Sequence, residues 1–154
     1  MIFNNMTKEL VSNRRAYHNF EILESFEAGV ALQGTEIKSL RASGGSLQEA
    51  YVRIIRDELW LIGASIAPYK YGNINNHEER RDRKLLVHKR ELLRLSVQTR
   101  EKGMALVPLS LYLKEGRIKC KFGIAKGKKK HDKRTAIMDR EKKREMDRAT
   151  KHFQ

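Results

Sequence analysis

Cysteine, proline and tryptophan are scarce, with one Cys, two Pro and one Trp in 154 residues. Cys120 has no partner for an intramolecular disulfide and no companion thiolates for a zinc site, so its expected place is the core. The histidines, at 18, 77, 88, 131 and 152, show no metal-ligand spacing. No stretch approaches the ~18 consecutive apolar residues of a membrane-spanning helix. The opening MIFNNMTKEL lacks the charged region and apolar run of a secretory signal. The expectation is a soluble, cytoplasmic protein with no membrane partner, metal or cofactor. There is no internal repeat, and the length suits one domain able to bury a core.

Acidic residues are the other shortage. Nineteen Asp and Glu face 33 Lys and Arg, for a formal net charge of +14 and a pI near 10.1. Such an excess favours a polyanionic partner, because each phosphate neutralised releases condensed counterions. RNA is the expected partner.

What is present is mostly strand pattern. HNFEILESF and GVALQG flank Glu27-Ala28-Gly29, which reads as a turn. YVRIIRDELWLIGASI reads as a hairpin about Asp57-Glu58. In ALVPLSLYLKEGRIKCKFGIAKG, Val107, Leu109, Leu111 and Leu113 alternate onto one face. After the Lys114-Glu115-Gly116 turn, Ile118, Cys120, Phe122 and Ile124 do the same. That period leaves Arg117, Lys119 and Lys121 together on the opposite face. Pro108 implies an edge strand or a bulge. TEIKSLRAS reads as a short helix. HKRELLRLSVQTREKG reads as a longer one, with Leu92, Leu95 and Thr99 on one face, Leu93 and Val97 beside it, and Gly103 at C′. Tyr71 to Lys84 reads as a polar, basic loop. Many short strands with few helices give a mainly β (α+β) fold, a small antiparallel barrel or sandwich for which OB-like closure is a natural option.

From Lys126 onward the composition changes. Residues 126–154 hold twelve Lys or Arg against five Asp or Glu. So little apolar surface cannot offset ordering entropy, and the segment is expected to be disordered when free. It nonetheless has no Gly or Pro after Gly127. Asp139 with Lys143 and Asp147 with Lys151 pair at helical spacing. Met138, Met146 and Phe153 lie near one stripe, interrupted by Lys142. The expectation is two regions: 1–130, an RNA-binding barrel, and 131–154, a tail that folds on a surface.

Enzyme chemistry finds no footing. GIAKGKKK is not a phosphate loop: three residues, not four, separate Gly123 from Gly127, and Lys129, not Ser or Thr, follows Lys128. Glu27 and Glu36 have no fixed partner on spacing alone and read as a turn carboxylate and a helix-start carboxylate. Lys119 and Lys121 would be an ordinary solvated edge, except that their face leads into Lys126, Lys128, Lys129 and Lys130 as one basic stripe. Tyr69 and Tyr71 beside Lys70 fit either base stacking or rim packing.

Four separated stretches in order carry a resemblance. FEAGVALQGTEIKSLR, NINNH, RKLLVHKREL and ALVPLSLYLKEGRIKCKFGIAKGKKKHDKR together resemble the small protein B family, the bacterial SsrA-binding proteins that partner transfer-messenger RNA (tmRNA). The likeness runs from about Asn13 to Arg134. It implies a closed OB-like β-barrel with flanking short helices and a basic C-terminal tail, and no enzymatic activity. It implies binding to the tRNA-like domain of tmRNA through Asn13, Glu27, Lys84, Leu86, His88 and Lys119, with Asn in place of His88 in some relatives. It further implies delivery of this RNA, charged by alanyl-tRNA synthetase and carried by elongation factor Tu, to stalled ribosomes. Lys126, Lys128, Lys129, Lys130, His131, Asp132, Lys133 and Arg134 would meet the decoding centre and small-subunit rRNA. The tail, with Met138, Lys142, Met146 and Phe153, would form a helix in the empty message channel. The alternative is another basic OB-fold RNA-binding or ribosome-associated protein.

Overall fold

The computed structural model describes residues 7–72, 76–101 and 103–127. The expectations for Lys128 to Arg134 and for the tail helix therefore fall outside the described residues. The elements are β1 (Thr7–Ser12), α1 (Arg14–Asn19), β2 (Phe20–Val30), α2 (Gly34–Arg41), β3 (Gly45–Ser46), β4 (Tyr51–Ile55), β5 (Glu58–Ile62), β6 (Ser65–Ile66), β7 (Arg83–Leu86), α3 (Lys89–Gln98), β8 (Met104–Lys114) and β9 (Arg117–Gly127). The described chain is mainly β with short helices. Seven strands follow the order β1-β8-β4-β5-β7-β2-β9, and β8 also pairs with β9, so the pairings from β8 through β4, β5, β7, β2 and β9 return to β8. The β4–β8 link is one residue pair, Val52 with Leu106. β3 and β6 form a separate ribbon.

The β8–β9 hairpin follows the period of two on β9. Ile118, Cys120, Phe122 and Ile124 are buried, with Arg117, Lys119 and Lys121 on the other face. On β8 the expected single face is split. Leu106 and Leu111 join the main core, whereas Val107 and Leu109 pack with Ala16 of α1 and with Ala125. The cause is a bulge between Pro108 and Ser110, which leaves Leu109 without a partner on β9 and shifts the alternation by one residue. Pro108 thus marks a bulge; β8 is no edge, being flanked by β1 and β9.

Several boundaries differ from the sequence reading. There is no turn at Glu27–Gly29: β2 continues to Val30, held by β9 on one side and β7 on the other. Two ladders override the local preference of glycine for a break. The β4–β5 turn is Arg56–Asp57, both at positive φ, and Glu58 already belongs to β5. β7 lies at the end of the stretch read as a loop, and β1 and α1 were not anticipated. In α3, Leu95 is buried and Leu92 packs on the core, but Leu93 and Val97 are exposed. The helix is capped at Thr99, whose hydroxyl donates to Leu95 O at 2.8 Å. Gly103 (φ 85°) comes later, in the turn before β8.

A buried ion cluster ties α2 to the start of β7. Glu36 and Arg83 are both fully buried. Arg83 Nε donates to Glu36 Oε2 at 2.5 Å, and Arg81 Nη2 to Oε1 at 2.6 Å. The Gln33 backbone N–H also donates to Oε1, completing a capping box at α2. Arg83 Nη1 donates to Ala64 O and Arg81 O. The helix-start reading of Glu36 was therefore correct but incomplete. His77 of the NINNH motif is buried between the Thr35 hydroxyl and the Ile66 carbonyl, each 2.8 Å away.

Candidate nucleic-acid interface

Three segments far apart in sequence meet at one open groove of about 670 Å³. β2 supplies Glu24 to Glu27 and Gly29, the β7–α3 junction supplies Leu86, Val87, His88, Glu91 and Arg94, and β9 supplies Lys119. Four residues singled out from the sequence, Glu27, Leu86, His88 and Lys119, therefore share one site. Lys119 lies opposite Gly29 in the ladder, and the absent side chain keeps the floor low. A Cβ at Gly29 would meet Leu86 Cβ at 3.5 Å.

Each wall has a different character. Leu86 is half exposed, a large apolar group left in the open at a strand end. His88 is the N-cap residue of α3, yet its side chain makes no capping bond, so the helix does not commit its ring. Arg94 pairs with Glu24 at 2.7 Å and lies 5.9 Å from the Phe26 ring, which stacks on Phe122. Beyond Leu86 the surface continues into a second groove lined by Lys84, Lys89 and Leu93. Lys84 is half exposed and pairs with Glu58 at 2.8 Å.

Glu27 is the best-anchored polar group of the groove. The Tyr112 hydroxyl donates to its Oε2 at 2.5 Å, and Lys114 Nζ reaches the same oxygen at 3.4 Å. The Tyr112 hydrogen bond, with lesser help from Lys114 and Lys119, holds the carboxyl below its ordinary value of 4.5 against the opposing effect of burial. Burial and the facing carboxylate push the Tyr112 hydroxyl far above the usual tyrosine range, so it remains a donor. Beneath this face Cys120 is fully buried and its thiol is pushed up to about 12, consistent with a core role.

Asn13 is not part of this groove. Its side-chain amide donates to Pro108 O and its backbone N–H to Leu109 O, both at 2.8 Å, which fastens the start of α1 to the β8 bulge. Lys126 is exposed near the end of β9, opposite Glu21 and Met104. Sequence reading missed Arg94, Tyr112 and Lys114. The period of two does put Tyr112 on the face opposite Leu111, but its pairing with Lys119 depends on the ladder register. Among the described residues no helix is long and apolar enough to cross a membrane, and no His, Cys, Asp and Glu cluster could hold a metal ion.

The model of the SmpB protein family matches residues 10–152. The chain belongs to the SmpB family. It is 60% identical over 146 residues to the SsrA-binding protein of Protochlamydia amoebophila, covering 95% of both chains. It is 56% identical over 144 residues to that of Chlamydia muridarum, covering 94% of this chain and 95% of the relative. At greater distance, the SsrA-binding protein of Pelotomaculum thermopropionicum is 53% identical over 144 residues, with 94% of each chain covered. A solved structure described as "tmRNA-SmpB: a journey to the center of the bacterial ribosome" superposes with a TM-score of 0.66 at 48% identity, covering 80% of this chain and 85% of that one.

Proposed function

We propose that this chain binds the tRNA-like domain of tmRNA and delivers it to stalled ribosomes in trans-translation, as a binding protein and not an enzyme. The observation that carries the proposal is the convergence of Glu27, Leu86, His88 and Lys119 on one open groove in a chain of this family. Lys119, with Lys84 beyond the rim, meets phosphates. Glu27 accepts from a ribose 2′-hydroxyl, a group that DNA lacks. Leu86 covers a sugar or base, and His88 bonds the backbone. Asn13 contributes from the α1 side, where its carboxamide oxygen, with no hydrogen-bond partner among the described residues, is the available group. The circuit of strand pairings supports reading the sheet as a closed OB-like barrel.

In the same proposal, residues 1–130 form the RNA-binding body and 131–154 probe the ribosome. Lys126 to Arg134 sit at the decoding centre against small-subunit rRNA, where His131 can stack on a base. The segment bearing Met138, Lys142, Met146 and Phe153 folds as a helix where no message fills the channel. Elongation factor Tu and alanyl-tRNA synthetase enter indirectly, through the charged RNA.

The test is peptide tagging on a message without a stop codon, in an extract depleted of its own SsrA-binding protein, with RNA affinity measured alongside. The chain restores tagging. Lys142→Pro keeps the affinity but loses most of the tagging, because proline in a helix interior costs about 3 kcal/mol, whereas Lys142→Ala is mild. If Lys142→Pro tags as well as the parent, the tail acts as a flexible polycation and the helix proposal fails.

A further inference from the structure

We propose that Tyr112 is a positioning residue for RNA recognition: it holds one oxygen of Glu27 so that the other is offered to the groove as a fixed acceptor. This rests on the reading of the groove as the RNA site.

The geometry begins with the ladder. On the outer face Tyr112 lies opposite Lys119, Lys119 lies opposite Gly29, and Glu27 lies opposite Lys121. Tyr112 therefore reaches across β9 to a carboxylate two strands away. Its hydroxyl and Lys114 Nζ both engage Oε2. Oε1 has no protein partner among the described residues, and the Glu27 side chain is 41% exposed.

The charged neighbours explain why an anchor is needed. Glu27 faces Lys114 from β8 and Lys119 and Lys121 from β9, and His88, Glu91 and Arg94 from the start of α3 line the same groove. A free glutamate on such a face would trade partners among the lysines and lose rotamer freedom on binding. A short bond from a stiff aromatic side chain removes much of that cost beforehand. It also leaves Lys119 free to meet phosphate, since Glu27 is held by Tyr112 and Lys114 instead.

The experiment is a double-mutant cycle on the full chain, reading affinity for tRNA-like-domain RNA at fixed salt. Tyr112→Phe keeps the ring and removes only the donor. It is expected to weaken binding by about three- to tenfold, within the range of an ordinary net hydrogen bond because Tyr112 acts only through Glu27, and Glu27→Gln by at least as much. The double variant should bind no more weakly than Glu27→Gln alone, because Tyr112 acts through Glu27. In the free protein, a carbon-13 titration of the Glu27 carboxyl should move up toward 4.5 in Tyr112→Phe. If Tyr112→Phe leaves affinity unchanged while Glu27→Gln weakens it, if the two losses multiply, or if the titration does not move, the inference is overturned and the groove reading stands. If neither Glu27→Gln nor Lys119→Ala weakens binding, the groove is not the RNA site and both fall.

Discussion

Glu27 and Lys119 differ in what a sequence can reveal about them. Lys119 is legible: the alternation of Ile118, Cys120 and Phe122 with Arg117, Lys119 and Lys121 puts it on the outer face, and the buried residues of β9 agree. Glu27 is not, because Ala28-Gly29 looks like a turn until two ladders are known to hold the strand straight. Its anchor, Tyr112, lies 85 residues away, a separation no local pattern reports. At this scale Lys119→Ala is expected to weaken RNA binding broadly and lower the log–log salt slope by about one unit, the loss of one phosphate contact. Affinity measured across a salt series checks this. An unchanged slope would mean that Lys119 makes no phosphate contact.

Among the elements, β7 shows how a charged stretch can hide a buried strand. The end of the stretch from Tyr71 to Lys84 reads as a polar, basic loop because Arg81, Asp82, Arg83 and Lys84 are all charged. Arg83 is buried only because Glu36, 47 residues earlier, meets it inside the fold. The β8 bulge was half legible: Pro108 signalled it, but not that Leu109 would turn to the α1 side.

The α2–β7 cluster aligns β7 and thus Lys84, Leu86 and the start of α3. Burial raises the Glu36 carboxyl, but hydrogen bonds from Arg81, the Gln33 backbone and Arg83 more than offset this and leave it below 4.5. A depressed carboxyl contributes stability above its unfolded-state value, and that contribution is lost as pH falls through the folded-state value. Glu36→Gln should therefore cost about 3–5 kcal/mol near neutral pH, the penalty of stranding a buried guanidinium. It should also flatten the acid limb of stability below 4.5. Denaturant unfolding at several pH values measures both; a loss under ~1 kcal/mol would show the cluster to be dispensable.

At the scale of the whole molecule, net charge and shape make separate contributions to the proposed RNA binding. A charge of +14 gives any RNA a reason to bind. In the proposed function the groove, with one acceptor, one apolar wall and one lysine placed to meet phosphate, gives a reason to prefer a particular RNA. Composition revealed the first contribution directly. The second became legible only through the family resemblance, because Glu27, Leu86, His88 and Lys119 come from segments up to 92 residues apart that the strand order brings together. The most direct measurement is the affinity of the full chain for the tRNA-like domain of tmRNA beside an unrelated duplex RNA of the same length, over a salt series. The account predicts that both affinities fall with salt and that a preference for the tRNA-like domain persists as nonspecific binding weakens. Equal affinities throughout the series would contradict it, leaving a basic protein that binds RNA by charge alone.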